Sequence, residues 1–399
     1  MTNPRFSTLR RIPRAVWVLG FVSMLMDISS EIVHSLLPMF LVSGLGASVA
    51  TVGLIEGIAE AAAPIVKVFS GSLSDYLGNR KWLAVAGYAL GAASKPFFAI
   101  AASAELVLAA RFADRIGKGI RGAPRDALVA DIAPAEYRGA AFGLRQSLDT
   151  IGAFTGPLIA VGLMFLWAND YRRIFWIALI PGALAVLLLT LGVEEPAHAA
   201  SSKGVNPIRR ESLRKLSASY WWVVAIGAAF TLARFSEAFL VLRAMQGGMK
   251  PALVPLVMVA MNVVYTLSAY PFGKLADSMN HMRLLVIGLG FLVCADMVLA
   301  QSSAWPAVLL GVSLWGLHMG MTQGLLAVMV AHTAPADLKG TAFGFFNLVS
   351  GVAMLVASVV AGLLWEQFGA EATFYAGALF SVLAAVLIIS GSHYLTSAE

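Results

Sequence analysis

The 399-residue chain is 59% hydrophobic and only 13% charged, with a mean hydropathy of +0.80, a balance that excludes an ordinary water-soluble domain. Its formal charge of +6 would suit a nucleic-acid binder in a soluble protein, but here the basic residues lie in short segments between apolar runs, the pattern of membrane topology. A single cysteine, Cys294, excludes an intramolecular disulfide framework and a cysteine-based metal cluster.

Apolar stretches of about twenty residues recur along the chain, each long enough to cross a hydrocarbon core of about 30 Å. They start near Val16, Thr51, Lys81, Glu105, Ala140, Arg172, Tyr220, Ala252, Arg283, Trp305, Thr341 and Ala372, and predict an all-α protein of about twelve spans. The first run, Val16 to Phe40, exceeds the apolar core of a signal peptide and lacks a small-residue cleavage pattern, so it reads as a retained helix. Segments with Arg10, Arg11, Arg14, Arg80, Lys81, Arg138, Arg209, Arg210, Lys274, Arg283 and Lys339 alternate with loops that offer chiefly Arg172, Arg173 and Lys250. That bias predicts both termini in the cytoplasm and an even number of crossings.

In the first span Asp27, Glu31 and His34 are spaced i, i+4, i+7 and share one face. Ionisable groups in apolar helices are costly, so each is a functional candidate. A desolvated carboxyl that exchanges its proton with either side of a membrane couples transport to a proton gradient, which assigns Asp27 and Glu31 that role with His34 as relay. The same set also fits a hydrogen-bonded helix contact, and its chemistry suits a divalent cation, though without a diagnostic spacing. Glu56, Glu60 and Lys67 share a face of the second span, either as a neutralised cluster or as further coupling residues. Lys95, in the third, has no partner in its own segment.

The fourth span is the most charged. Arg111, Arg115, Lys118 and Arg125 line one stripe, Asp114 and Lys118 are an i, i+4 pair, and Arg121 and Arg125 are expected to be solvated near the cytoplasmic end. Arg145 and Asp149 in the fifth span form another i, i+4 pair. Interior charge thins in the second half to Arg234, Glu237 and Arg243, then Asp296 and His318. Coupling is therefore expected in the first half, with Arg111, Arg115, Lys118, Arg145, Asp149, Arg234 and Glu237 as substrate-binding or charge-network residues.

Residues 194–219 form a long polar connection with Pro196, Pro207 and a basic cluster, which divides the chain into bundles 1–193 and 220–399. An internal repeat supports the division. Residues 133–143 (APAEYRGAAFG) match 334–344 (APADLKGTAFG), and Gly71 to Asp75 match Gly273 to Asp277 at nearly the same offset. A parallel repeat of two six-helix halves places a solute site between them near mid-membrane.

Gly71-Ser-Leu-Ser-Asp75-Tyr-Leu-Gly78-Asn-Arg80-Lys81 resembles the signature between the second and third helices of the major facilitator superfamily of secondary transporters, with Asn79 where arginine is usual. The weaker copy at Gly273 and Asp277 lacks the Gly-Arg portion. Arg115-Ile-Gly-Lys118-Gly119 resembles the family's fourth-helix Arg-x-x-Gln-Gly motif with lysine for glutamine, and Gly152-Ala-Phe-Thr-Gly156-Pro157 its exporters' Gly-Pro motif. The resemblance covers the whole chain. It implies the twelve-helix, two-bundle fold, Asp75 as a latch of the outward-open state, and monomeric function.

Together these features predict a proton-coupled antiporter that exports a small organic solute, such as a drug-like compound, metallophore or metabolite, by alternating access. The alternative is a proton-coupled symporter that takes up an anionic metabolite, motivated by the buried arginines and Lys118. A divalent-metal exporter is a weaker reading because the Asp27, Glu31 and His34 set lacks a diagnostic spacing, and so is a receptor or a membrane enzyme, the latter because the phosphate-cradling loop, nucleophile elbow and His-Glu-x-x-His helix are missing. No cofactor, resident metal or nucleic-acid partner is expected; the partners are solute, protons and lipid, in a bacterial inner membrane.

Overall fold

The computed structural model describes residues 11–195, 213–276, 278–302, 304–322, 324–335 and 338–396, and these are all-α, with no strand. Asp277 and most of the 194–219 connection lie outside the described residues, as do Arg10, Arg209 and Arg210. The helices of the first half are α1 (Arg14–His34), α2 (Val49–Leu77), α3 (Arg80–Ile100), α4 (Ala104–Ile132), α5 (Arg138–Leu166) and α6 (Tyr171–Gly192). Those of the second are α7 (Ala218–Leu232), α8 (Ala238–Gln246), α9 (Leu256–Ala276), α10 (His281–Gln301), α11 (Trp305–Thr322), α12 (Leu325–Thr333), α13 (Lys339–Phe368) and α14 (Ala370–Thr396). Short polar side chains set several starts by accepting from first-turn amides: Asn79 from Trp82 N, Asp170 from Arg173 N, Ser217 from Tyr220 N, and Asn280 from Met282 N and Arg283 N.

Ten described helices are long and apolar enough to cross a membrane. The fourth predicted span, α4, has the length at 29 residues but carries five cations and two carboxylates between Arg111 and Asp126. The seventh, expected as one continuous helix, is broken. α7 stops at Leu232, non-helical backbone follows, and α8 begins at Ala238. The amides released by the break find side-chain acceptors: Ser236 N donates to Ser358 Oγ and Ala238 N to Ser236 Oγ, each at 3.2 Å. The tenth predicted span is likewise divided into α11 and α12 around Gly324, whose φ of +88° suits a residue without a Cβ.

The chain forms two compact units, Met1–His34 with Val66–Asn206, and Ser35–Ile65 with Pro207–Glu399. In the first, α1 packs against α5 and α6, and α3 against α4 and α6. In the second, α7 packs against α13 and α14, and α10 against α11 and α14. These are the same pairings moved on by six spans. α2 passes from one unit to the other just after Pro64. Its first half belongs with α13 because Gly57 lets the helices approach, an added Cβ there lying 3.0 Å from Leu355 O, and because Glu366 Oε2 accepts from Ala50 N at 3.0 Å.

The repeated 133–143 and 334–344 segments enter their helices alike. Tyr137 (φ −115°, ψ 6°) precedes α5, and Leu338 (φ −112°, ψ 5°) precedes α13. Matching residues therefore start matching helices, which makes the duplication structural as well as sequential.

Candidate functional site

The face of α1 that carries Asp27 and Glu31 is built against α5. A Cβ added at Gly152 would lie 2.6 Å from Met24 O and 3.0 Å from Asp27 Cβ; at Gly156 it would lie 2.7 Å from Glu31 Cβ and 3.0 Å from Ile28 O. The Gly-x-x-x-Gly spacing of α5 thus brings its backbone directly under both carboxyl-bearing residues. Pro157, next to Gly156, is buried within α5. Asp27 and Glu31 are half-buried. Glu31 Oε2 pairs with His34 Nδ1 at 3.3 Å, and Asp27 lies within electrostatic reach of Asp149, Lys118, Arg121 and Arg125.

Beside this face α3 and α4 enclose a buried charge cluster. Lys95 Nζ donates to Asp114 Oδ1 at 2.7 Å and to Ser30 Oγ of α1 at 3.1 Å. Asp114 also faces Arg115 Nε at 3.8 Å and Arg111 Nη1 at 4.0 Å. Lys95, Arg111, Asp114, Arg115 and Arg121 are each at most 3% exposed. Lys95, which has no partner in its own segment, thus meets Asp114 across helices. One expectation is corrected: Arg121 is buried and the Arg125 side chain only 14% exposed, so neither is solvated. The Arg121 guanidinium sits 4.9 Å from the Tyr88 ring centre, where a cation is stabilised by the aromatic face. The close α3–α4 approach is permitted by Gly87, where a Cβ would lie 2.7 Å from Gly117 O.

Towards the end of α4 the network continues. Arg145 Nη1 donates to Asp149 Oδ2, and its Nε lies 3.8 Å from Asp126 Oδ1. Arg125 donates to Asp126 Oδ1 at 3.0 Å and to Ser23 Oγ at 2.9 Å. Lys67 pairs with Asp126 at 3.5 Å, a partner on α4 instead of the carboxylates of its own helix. Glu56 and Glu60 fall in the other unit from Asp27, Glu31 and His34. Lys118 lies on α4, exposed, within electrostatic reach of Glu31 as well as of Asp27.

The motif between α2 and α3 forms an ionic knot. Arg80 Nη2 pairs with Asp75 Oδ1 at 3.2 Å, and its Nη1 binds Asp131 at the end of α4. Glu195 accepts from Arg80 N at 2.9 Å and Lys81 N at 2.7 Å, placing a carboxylate at the positive end of α3. Gly78 turns the chain with φ +61°, and a Cβ on Gly71 would meet Ala123 Cβ at 3.4 Å. Sequence reading missed Asp131 and Glu195, since neither belongs to the motif's own segment.

In the second unit Arg234 and Glu237 stand on the non-helical segment between α7 and α8, half-buried. Arg234 acts electrostatically on His318 of α11 and Tyr265 of α9. His318 stacks on Phe230 with ring centres 5.3 Å apart, and its Nδ1 bonds Gly288 O at 2.8 Å. Gly273 lies near the end of α9, with nothing within 4 Å of an added Cβ.

A duplicated helical bundle with broken spans and buried ionisable groups defines a multi-pass membrane transporter. The sequence model of the Major Facilitator Superfamily matches residues 19–357 and 248–393, and the chain belongs to that family of secondary transporters. It is 29% identical to an uncharacterized MFS-type transporter of Methanocaldococcus jannaschii, over 95% of each chain. It is 26% identical to the inner membrane transport protein YajR of Escherichia coli, covering 93% of this chain and 81% of that one. A crystal structure of a POT family transporter in complex with 5-aminolevulinic acid shares the fold at a TM-score of 0.80 and 12% identity, over 97% of both chains.

Proposed function

We propose that this secondary transporter is a proton-coupled antiporter exporting a small organic solute, with Asp27 and Glu31 as its proton carriers. The supporting observation is the seating of both residues on the Gly152–Gly156 face of α5, within reach of the α4 and α5 charge network. A proton leaving either carboxyl changes the charge that Lys118, Arg115 and Arg121 meet, and so biases the equilibrium between conformations. The two halves, 1–193 and 220–399, rock about a central site, joined by 194–219, with the Asp75–Arg80 knot as latch. Both termini are cytoplasmic in this reading. The Gly-Pro motif of α5 favours export.

A thermal-shift screen across drugs, metallophores, sugars and organic acids at two pH values identifies a solute. In proteoliposomes that solute is expected to move against an imposed proton gradient. Asp27→Asn and Glu31→Gln are each expected to abolish gradient-driven movement while preserving folding; full activity in both overturns the mechanism. A second reading, proton-coupled uptake of an anionic metabolite, is favoured by the excess of cations on α4. Accumulation of an organic acid with an inward proton gradient would select it.

A further inference from the structure

The second unit contains a carboxyl group outside the coupling network described above. Asp296 of α10 has no exposed surface, and neither carboxylate oxygen has a hydrogen-bond partner. It is wedged against α14: a Cβ added at Gly377 would lie 2.7 Å from Asp296 Oδ2 and 2.9 Å from Phe235 Cε1. Phe235 in turn meets Trp315, Phe239 and Phe374, with ring centres 5.3, 5.4 and 5.6 Å away. A cavity of about 30 Å³, lined by Phe235, Thr373, Gly377 and apolar side chains, lies on the other side of Phe235 and Gly377, and Asp296 is not among its walls.

The charged and titratable groups of the surrounding elements do not neutralise it. Arg243 of α8 is engaged by the carbonyls at the end of α10, its Nε donating to Leu299 O at 2.9 Å and its Nη2 to Ala300 O at 3.0 Å and Ser302 O at 2.7 Å. His318 of α11 binds Gly288 O. Glu371 of α14 is exposed, His281 and Arg283 stand at the opposite end of α10, and His332 of α12 lies beside His281. Arg234 and Glu237, on the non-helical segment, are half-buried and make no hydrogen bond to Asp296.

We propose that Asp296 is a proton-binding site of the second unit, occupied in the conformation described here and emptied when the segment that carries Phe235 moves. An ionised carboxylate without counter-ion or donor among aromatic rings costs more than retaining a proton, and a neutral acid removes that penalty. Phe235 belongs to the non-helical stretch between α7 and α8, whose backbone turns without breaking a helical hydrogen-bond ladder. Its displacement opens the carboxyl to water and lets the proton leave.

Infrared spectra of the full-length protein in lipid bilayers test this without a solute, and so independently of coupling through Asp27 and Glu31. At neutral pH the wild-type chain is expected to show a protonated-carboxyl C=O band that Asp296→Asn loses. In Phe235→Ala, where water reaches the acid, the band is expected to vanish at lower pH than in the wild type. Identical carboxyl spectra for the wild type and Asp296→Asn overturn the site, and an unshifted band titration in Phe235→Ala overturns the role of the cover. Should the Asn variant fail to fold, Asp296→Glu carries the test: its band is expected to be displaced, and an unmoved band overturns the proposal.

Discussion

Lys95 Nζ lies 2.7 Å from Asp114 Oδ1, and both residues are almost completely removed from solvent. Asp114 is the only carboxylate on α4 between Arg111 and Arg125, so its removal takes from the buried Lys95 the carboxylate that neutralises it and from Arg111 and Arg115 a nearby opposite charge. Asp114→Asn is expected to destabilise the protein by about 3–5 kcal/mol, the cost of stranding buried charge. Lys95→Met is expected to cost less, because two arginines still face Asp114. Thermal unfolding of the two variants in detergent checks the order; equal losses would refute the shared-carboxylate account.

The α1–α5 contact predicts a contrast between two glycines of one helix. Gly156→Ala forces a methyl group into Glu31 Cβ and Ile28 O, at an overpacking cost of about 1–3 kcal/mol. Gly162 has nothing within 4 Å of an added Cβ, so Gly162→Ala is expected to be neutral or to stabilise α5 by up to about 1 kcal/mol through helix propensity. Melting temperatures decide the matter: Gly156→Ala should lower the value and Gly162→Ala should not.

Glu195 closes the start of α3 from outside its own helix. Glu195→Ala removes an acceptor from two amides and is expected to cost about 0.5–2 kcal/mol, as for other lost N-caps. Glu195→Gln keeps an acceptor and loses only the charge, for about 0.3–1 kcal/mol. Amide hydrogen exchange at Arg80 and Lys81 should quicken most in the alanine variant. Unchanged exchange there would remove Glu195 from the cap.

Arg243 serves three carbonyls with a planar fork that lysine cannot reproduce. Each hydrogen bond lost from a charged donor is worth about 1.5–3 kcal/mol, so Arg243→Lys is expected to be clearly destabilising despite its retained charge. A melting temperature equal to the wild type would show that charge alone suffices.

Much of the candidate site could be read along the chain because its signals are local. The i, i+4, i+7 spacing places Asp27, Glu31 and His34 on one face whatever packs against it, and Gly152 and Gly156 mark a face that admits another backbone. Partners across helices were less legible. Lys95 and Lys67 each carried a charge that needed neutralising, but their carboxylates, Asp114 and Asp126, lie on a helix that hydropathy alone cannot place beside them. Arg121 read as solvated because its position in the span is shallow, whereas Tyr88 of α3 covers it. The interruption before α8 left little trace in an apolar run, since the acceptor for Ser236 N is Ser358, more than a hundred residues away.

By itself, then, the sequence determined the membrane setting, the spans, the duplication and the acid-bearing face of α1, because hydropathy, helical period and repeat offset are properties of neighbouring residues. Tertiary structure alone decided which carboxylate meets which cation, where a span breaks and why Asp296 stands without a partner. Those outcomes depend on which helices touch, and burial sets the cost of leaving a charge or an amide unsatisfied only once the bundle has closed.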